Sequence, residues 1–350
     1  MTTTVEDCGS VDHAVAVPVS EEQLWQISAA FLAHGLVRGE HVIYFDDGTS
    51  DRVLERMTDD GVAVAGPLRE GRFTIVPSAG HRSPHEVAET VRSTVDAALA
   101  AGYPAVRITG RLTFVAKHAG GESGVRESGM AEYDRVIEEV VRHRPAHVLC
   151  IYDRSRYPDE VVEAVRAAHR TEVVAPAIYD DGLLRITALG PGSARVAGEV
   201  DHSNRPRIRS FLEGALDRAL RLPDAPTDIS LDLSSLRFLD VAAAVGLVHA
   251  AEEFPNAHRL VLTGVRPRVQ RVLDRCGAPF ATQLVVHNRS DQPPPDQQSP
   301  DQHPDEDPHD DEPQNELTVN EQAQRPRPAG EDPANRQTPD EGARNAQAPA

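Results

Sequence analysis

The sequence predicts an α/β protein with two unlike domains: a doubly wound, mainly parallel sheet over residues 11–176 and a small α/β domain with a mixed sheet over 177–287. A disordered acidic tail is expected over 288–350. Three observations carry this. Through the first half, short apolar runs alternate with longer helical patterns, as βαβ units do. In the second part, Gly190-Pro191-Gly192 separates two strand-like runs, and helix and strand patterns then alternate. From about 288 the chain becomes dense in Pro, Asp, Glu and Gln, with apolar residues that are chiefly Ala.

Taken in order, residues 1–10 read as a flexible lead-in. Strands are expected at 13–17, 41–45, 73–76, 105–109 and 147–152, and helices at 21–34, 51–59, 84–101, 130–143 and 158–169. Ser20 followed by Gln23 has the spacing of a capping box, in which side chain and backbone satisfy each other's free N–H groups. The segment 118–124, H-A-G-G-E-S-G, reads as a loop. In the second domain, strands at 183–188 and 194–200 flank the Gly-Pro-Gly turn. A helix at 208–220, a strand at 229–233, a helix at 241–253, a strand at 260–263 and a helix at 267–276 follow, with Gly277 as the stop. Asp240 stands where its carboxylate can cap the Ala-rich helix behind it. The tail cannot bury enough apolar surface to offset chain entropy.

Composition removes several function classes. A net charge of −19 and a pI near 5.2 argue against nucleic acid or an anionic membrane as a partner through bulk charge. No apolar run is long enough to span a bilayer, and the opening M-T-T-T-V-E-D-C-G-S does not read as a signal peptide. Cys8, Cys150 and Cys276 are scattered and odd in number, which suits a reducing cytoplasm. Lys117 is the only lysine and lies in V-A-K-H-A, so there is no phosphate-binding G-K-[ST] loop. No G-x-S-x-G or G-x-G-x-x-G motif stands between a strand and a helix. An enzyme is not expected, and neither is a cofactor.

Fifteen His raise the question of a metal. His81 and His85 are four apart, but Pro84 between them breaks a shared helical face, and no metal site is expected. Tyr152 and Asp153 fall at the C-terminal end of a predicted strand, where open α/β sheets bind ligands. Arg107, Thr109, Tyr152, Asp153 and Arg154 are therefore candidate pocket residues. The competing reading is a set of salt bridges and caps around a sheet edge.

The stretch 228–246, with V-A-G-E-V-D (196–201), D-L-S-S-L-R-F-L-D (232–240) and G-V-R-P-R-V-Q-R-V-L-D-R-C-G (264–277), resembles the STAS domain of bacterial anti-sigma factor antagonists. That family carries a phosphorylatable Ser directly after the Asp. Here the position is Val241, and residues 236–262 contain no Ser or Thr. Ser234 and Ser235 precede it, where Ser commonly serves turn backbone.

The first domain resembles the MEDS sensory domain, a relative of RecA/KaiC-like ATPases without their P-loop. The residues that carry this are the opening His13, F-L-A-H-G-L-V-R-G-E-H-V-I-Y (31–44), whose F-L-x-x-G-L-x-x-G-E part is the most distinctive, G-R-F-T-I-V (71–76), G-Y-P-A-V-R-I-T-G (102–110), A-E-Y (131–133) and C-I-Y-D-R-S-R-Y (150–157).

Together the resemblances imply a cytoplasmic signalling regulator: a sensor of a small molecule joined to a module that binds an anti-sigma factor or a related switch-protein kinase. Asp240, Val241, Ala242 and Val245 would form the partner-facing edge, without the usual phosphoacceptor. A second copy of the chain is a further candidate partner. The alternatives are a degenerate RecA/KaiC-like nucleotide-binding protein and a non-enzymatic scaffold.

Overall fold

The computed structural model describes residues 1–77, 84–111, 127–221 and 226–289. The expectations for Lys117, His81, the 118–124 loop and the tail beyond 289 lie outside these residues.

The first domain is a seven-stranded sheet with every pairing parallel. Its strands are β1 (Thr2–Thr4), β2 (His13–Ala16), β3 (His41–Asp46), β4 (Phe73–Pro77), β5 (Val106–Gly110), β6 (Ala146–Ile151) and β7 (Thr171–Val174). They lie in the order β1-β7-β2-β6-β5-β3-β4. Helices α1 (Glu21–Val37) and α2 (Ser50–Asp59) cover one face, over a core that includes Val42, Tyr44, Leu149 and Ile151. The short α3 (Ala65–Arg69) precedes β4. Helices α4 (Pro84–Ala100), α5 (Glu127–Arg142) and α6 (Asp159–Ala168) cover the other, over Ile43, Phe45, Val148 and Cys150. Burial on both faces is why these strands read as nearly unbroken apolar runs.

The capping box forms at α1: Ser20 Oγ accepts from Gln23 N at 3.2 Å, and Gln23 Oε1 reaches back to Val19 N at 2.8 Å. The first ten residues differ from expectation. Thr2–Thr4 pairs with β7 and Val5–Ser10 forms a 3-10 helix that buries Val5 and Cys8 under α1. Neither β1 nor β7 shows an apolar run: β1 is the short Thr2–Thr4 at the sheet edge, and β7 beside it is mostly half-buried.

The second domain has a mixed sheet in the order β14-β13-β11-β10-β9-β8. Its elements are β8 (Tyr179–Asp180), β9 (Leu184–Gly190), β10 (Ser193–Val200), α7 (Arg205–Arg221), β11 (Asp228–Asp232), β12 (Leu236–Leu239), α8 (Val241–Glu252), β13 (Arg259–Val265), α9 (Pro267–Arg275) and β14 (Leu284–Asn288). The Gly-Pro-Gly turn joins β9 and β10 antiparallel, and the pairings from β10 to β14 are parallel. The run L-R-F-L, read as loop, is strand β12, which pairs with β10 beyond a bulge at Gly198. Gly198 has φ +95°, and a Cβ there would stand 2.0 Å from the Leu183 carbonyl oxygen, so no larger residue fits without moving the strand. Both sheets belong to one compact unit.

Candidate functional site

Helix α8 begins as its sequence predicts. Asp240 Oδ1 accepts from Ala243 N at 2.6 Å, and Oδ2 lies 3.2 Å from the Arg205 guanidinium of α7. Ala243, Ala244, Leu247, Val248 and Ala251 face the core. Of the candidate partner residues, Val241 and Ala242 are exposed, Val245 is half-buried, and Asp240 is occupied as the cap. Val241 is 65% exposed and Phe238, two residues before the cap, 49%. Beside them, a groove of about 490 Å³ runs between α7 and α8, floored by Ile208, Leu212, Leu216, Ala243 and Leu247.

The loop that leads into α8 is held by the first domain. Alternate residues of β9 and β10 divide by face: Leu184, Ile186, Ala194 and Val196 enter the core, while Arg185 and Arg195 reach the α1–α2 side of the neighbouring domain. Asp59, at the end of α2 and only 2% exposed in its side chain, is the focus. It accepts from Ser235 Oγ at 2.9 Å and pairs with Arg266 at 3.0 Å and Arg289 at 2.7 Å. Arg266 also pairs with Glu55 and donates to the Ser234 carbonyl at 2.6 Å. Arg237 of β12 pairs with buried Glu22, and Arg195 pairs with Asp60. Burial pushes the carboxyls of Glu22 and Asp59 up, against the pull of their arginines. Burial also raises Glu55, but its bonds to Arg266 and Arg52 outweigh that and hold it low. The lone tryptophan, Trp25 of α1, is buried with the Arg237 guanidinium 4.9 Å from its ring centre.

The five candidate pocket residues divide over the two faces of the first sheet. Arg107 is fully buried on the α1 side, where it pairs with Glu40 at 2.6 Å and donates to the Gly9 carbonyl at 2.9 Å. Thr109 donates to the Leu149 carbonyl at 2.9 Å. Tyr152, in the core of the opposite face, donates to Asp134 at 2.9 Å. Asp153 accepts from Ser155 N at 2.9 Å and lies 3.4 Å from Arg111, and Arg154 pairs with Asp159 at 2.6 Å. Arg111, at the C-terminal end of β5, is thus ringed by Asp47, Asp153 and Glu21.

Under Tyr152 lies a group that sequence spacing did not suggest. One ligand atom each from His13, Asp134, Cys150 and His169 falls within 4.8 Å of every other. These residues come from β2, α5, β6 and the end of α6, so no local motif announces them. His13 Nδ1 lies 2.9 Å from Glu138 Oε2, and His169 Nδ1 lies 2.7 Å from the Val165 carbonyl. Both rings therefore turn Nε2 inward, and His13 Nε2 stands 3.5 Å from Cys150 Sγ. His169 Nε2 and Asp134 Oδ2 are buried without a hydrogen-bond partner, with His169 Nε2 3.8 Å from Asp134 Oδ1 and the Cys150 thiol beside the same carboxyl. Burial and then the neighbouring His169 hold His13 down at about 4, while burial raises the Cys150 thiol and the Asp134 carboxyl. The sequence expectation of no metal site considered only His81 and His85. Among the described residues this quartet has the donor set to hold one.

The connection from β2 to α1 reads Val17-Pro18-Val19-Ser20. It contains no glycine, and Pro18 has no N–H to offer a phosphate. Among the described residues no helix is long and apolar enough to cross a membrane.

Comparison with known proteins places a MEDS domain (MEthanogen/methylotroph, DcmR Sensory domain) at residues 12–170 and a STAS domain at residues 188–287. No curated protein matches the chain. Similar solved structures include the flagellar accessory protein FlaH from Methanocaldococcus jannaschii, at 10% identity, covering 54% of this chain and 77% of that one with a TM-score of 0.35. The RadB recombinase is similar at 15% identity, covering 53% and 86%, with a TM-score of 0.34.

Proposed function

We propose that this chain, a MEDS sensory domain joined to a STAS domain, is a non-enzymatic signalling regulator in which the sensor controls how the STAS domain presents α8 to a regulatory protein of the anti-sigma type. One observation carries this reading. The sensor grips the segment that leads into α8: Asp59 holds Ser235 and Arg266, and Arg266 holds the Ser234 carbonyl. A change in the sensor that moves α2 therefore acts on the start of the partner-facing helix through a few charge-assisted bonds. The small-molecule end of the signal is assigned to the first domain, whose Arg111 rim stands at the C-terminal edge of its sheet.

The exposed Val241 and Phe238 and the apolar groove supply the docking edge. With Val in place of a phosphoacceptor at 241, control passes to the domain interface. Ser234 and Ser235 do not replace it in this arrangement, since both side chains are buried and Ser235 Oγ is held by Asp59 of the sensor. The glycine-free β2–α1 connection supports the non-enzymatic reading, and ATP turnover is expected to stay at the level of a protein-free control. Three free cysteines, none of them paired, are in keeping with the cytoplasm.

Val241→Glu is the test of the docking edge. Once a partner is captured from cytosol and purified, its affinity for this variant is expected to fall by about 2 kcal/mol, roughly 30-fold, because the charge must be desolvated in the interface. The exposed site leaves the fold untouched. An unchanged Kd means that α8 is not the partner surface.

A further inference from the structure

We infer that His13, Asp134, Cys150 and His169 form a binding site for a single divalent transition-metal ion of zinc-like preference. The donor set is two imidazole nitrogens, a thiol sulfur and a carboxylate oxygen, a mixture suited to a tetrahedral ion and not to calcium or magnesium, which take oxygen. The four atoms lie within 4.8 Å of one another. In a tetrahedral site with bonds of about 2.0–2.3 Å the ligands stand roughly 3.3–3.8 Å apart, so a small contraction closes the cage.

Two features separate this group from an ordinary buried polar cluster. First, the orientation of both imidazoles is fixed from outside. His13 turns its Nδ1 to a carboxylate and His169 turns its Nδ1 to a backbone carbonyl, the two arrangements that present Nε2 to a metal. Tyr152 likewise donates to Asp134 Oδ1 and leaves Oδ2 free. Second, the atoms left without partners, His169 Nε2 and Asp134 Oδ2, are those aimed at the centre. One ion would satisfy both. An open groove lined by His13, Glu138, Arg142 and Thr171 reaches the outer side of His13 from the surface. As the ion enters, Cys150 releases its thiol proton to solvent and binds as thiolate.

The site is independent of the proposed partner surface, which lies in the other domain, so either assignment can fail alone. The test is titration of chelator-treated protein with Co²⁺, followed by absorption. A thiolate-to-cobalt charge-transfer band that saturates at one ion per chain and is displaced by Zn²⁺ is expected. Cys150→Ser should abolish that band. Because that buried substitution can disturb packing, Glu138→Gln on the outer side gives a second arm, expected to weaken Co²⁺ binding about 10–100-fold with the fold retained. Absence of a charge-transfer band in the folded wild-type protein would overturn the assignment, and so would a Co²⁺ affinity unchanged by Glu138→Gln.

Discussion

Replacing Arg107 with alanine is expected to destabilise the first domain by about 3–5 kcal/mol, the usual cost of breaking a buried ion pair by removing one partner. Arg107 and Glu40 are 0% and 4% exposed in their side chains and share two hydrogen bonds, at 2.6 and 3.2 Å. The guanidinium also lies 4.6 Å from the Phe31 ring centre. Without it the Glu40 carboxylate is left buried, with His147 3.7 Å away. Urea unfolding followed by circular dichroism reads the loss directly. A cost below about 1 kcal/mol would mean that the pair is not structural and would return Arg107 to the candidate ligand residues.

The second large effect is expected at the domain interface. Arg266→Ala removes the one side chain that touches Glu55, Asp59 and the Ser234 carbonyl at once. Asp59 then keeps Arg289 and Ser235 as partners. Because Arg266 is partly solvated, the cost is set at about 2 kcal/mol, less than for a fully buried pair. The readout is built in. Trp25, the only tryptophan, is covered by Arg237 of the STAS domain, so loosening the interface should expose the ring and shift its emission to the red. Emission that stays as in the wild type would show that the interface does not depend on Arg266.

These two sites also show what was legible in the sequence. The block F-L-A-H-G-L-V-R-G-E stood out as the most distinctive part of the first domain, and the structure gives its physical reason. Phe31 stacks on Arg107, Glu40 pairs with it, and a Cβ at Gly35 would lie 2.8 Å from the Arg107 Cδ. The block is a cradle for one arginine, where the sequence offered Arg107 to a ligand. Strand and helix order was readable because apolar runs and caps are local signals. Strands β1, β7, β8, β12 and β14 were not, because they are short, and edge or bulged positions at β1, β8, β12 and β14 blur the alternation. The interface was nearly readable: Arg185 and Arg195 interrupt apolar strands at alternate positions, which marks a sheet face turned toward acidic groups and not toward water. His13 and Cys150 stood among the residues that carry the resemblance of the first domain, but their grouping with Asp134 and His169 was not readable, since the four are brought together by the parallel order of β2 and β6 and the helices above them.

The coupling between sensor and α8 is tested most directly by amide hydrogen exchange in Asp59→Ala. The substitution lies in the first domain and the readout lies in the second, over residues 234–243. Loss of the grip on Ser235 and Arg266 should speed exchange there by about tenfold, equivalent to about 1.4 kcal/mol, while strands β11 and β13 keep their protection. Exchange over 234–243 that matches the wild type would contradict the account, because the first domain would then hold the STAS domain without acting on the start of α8.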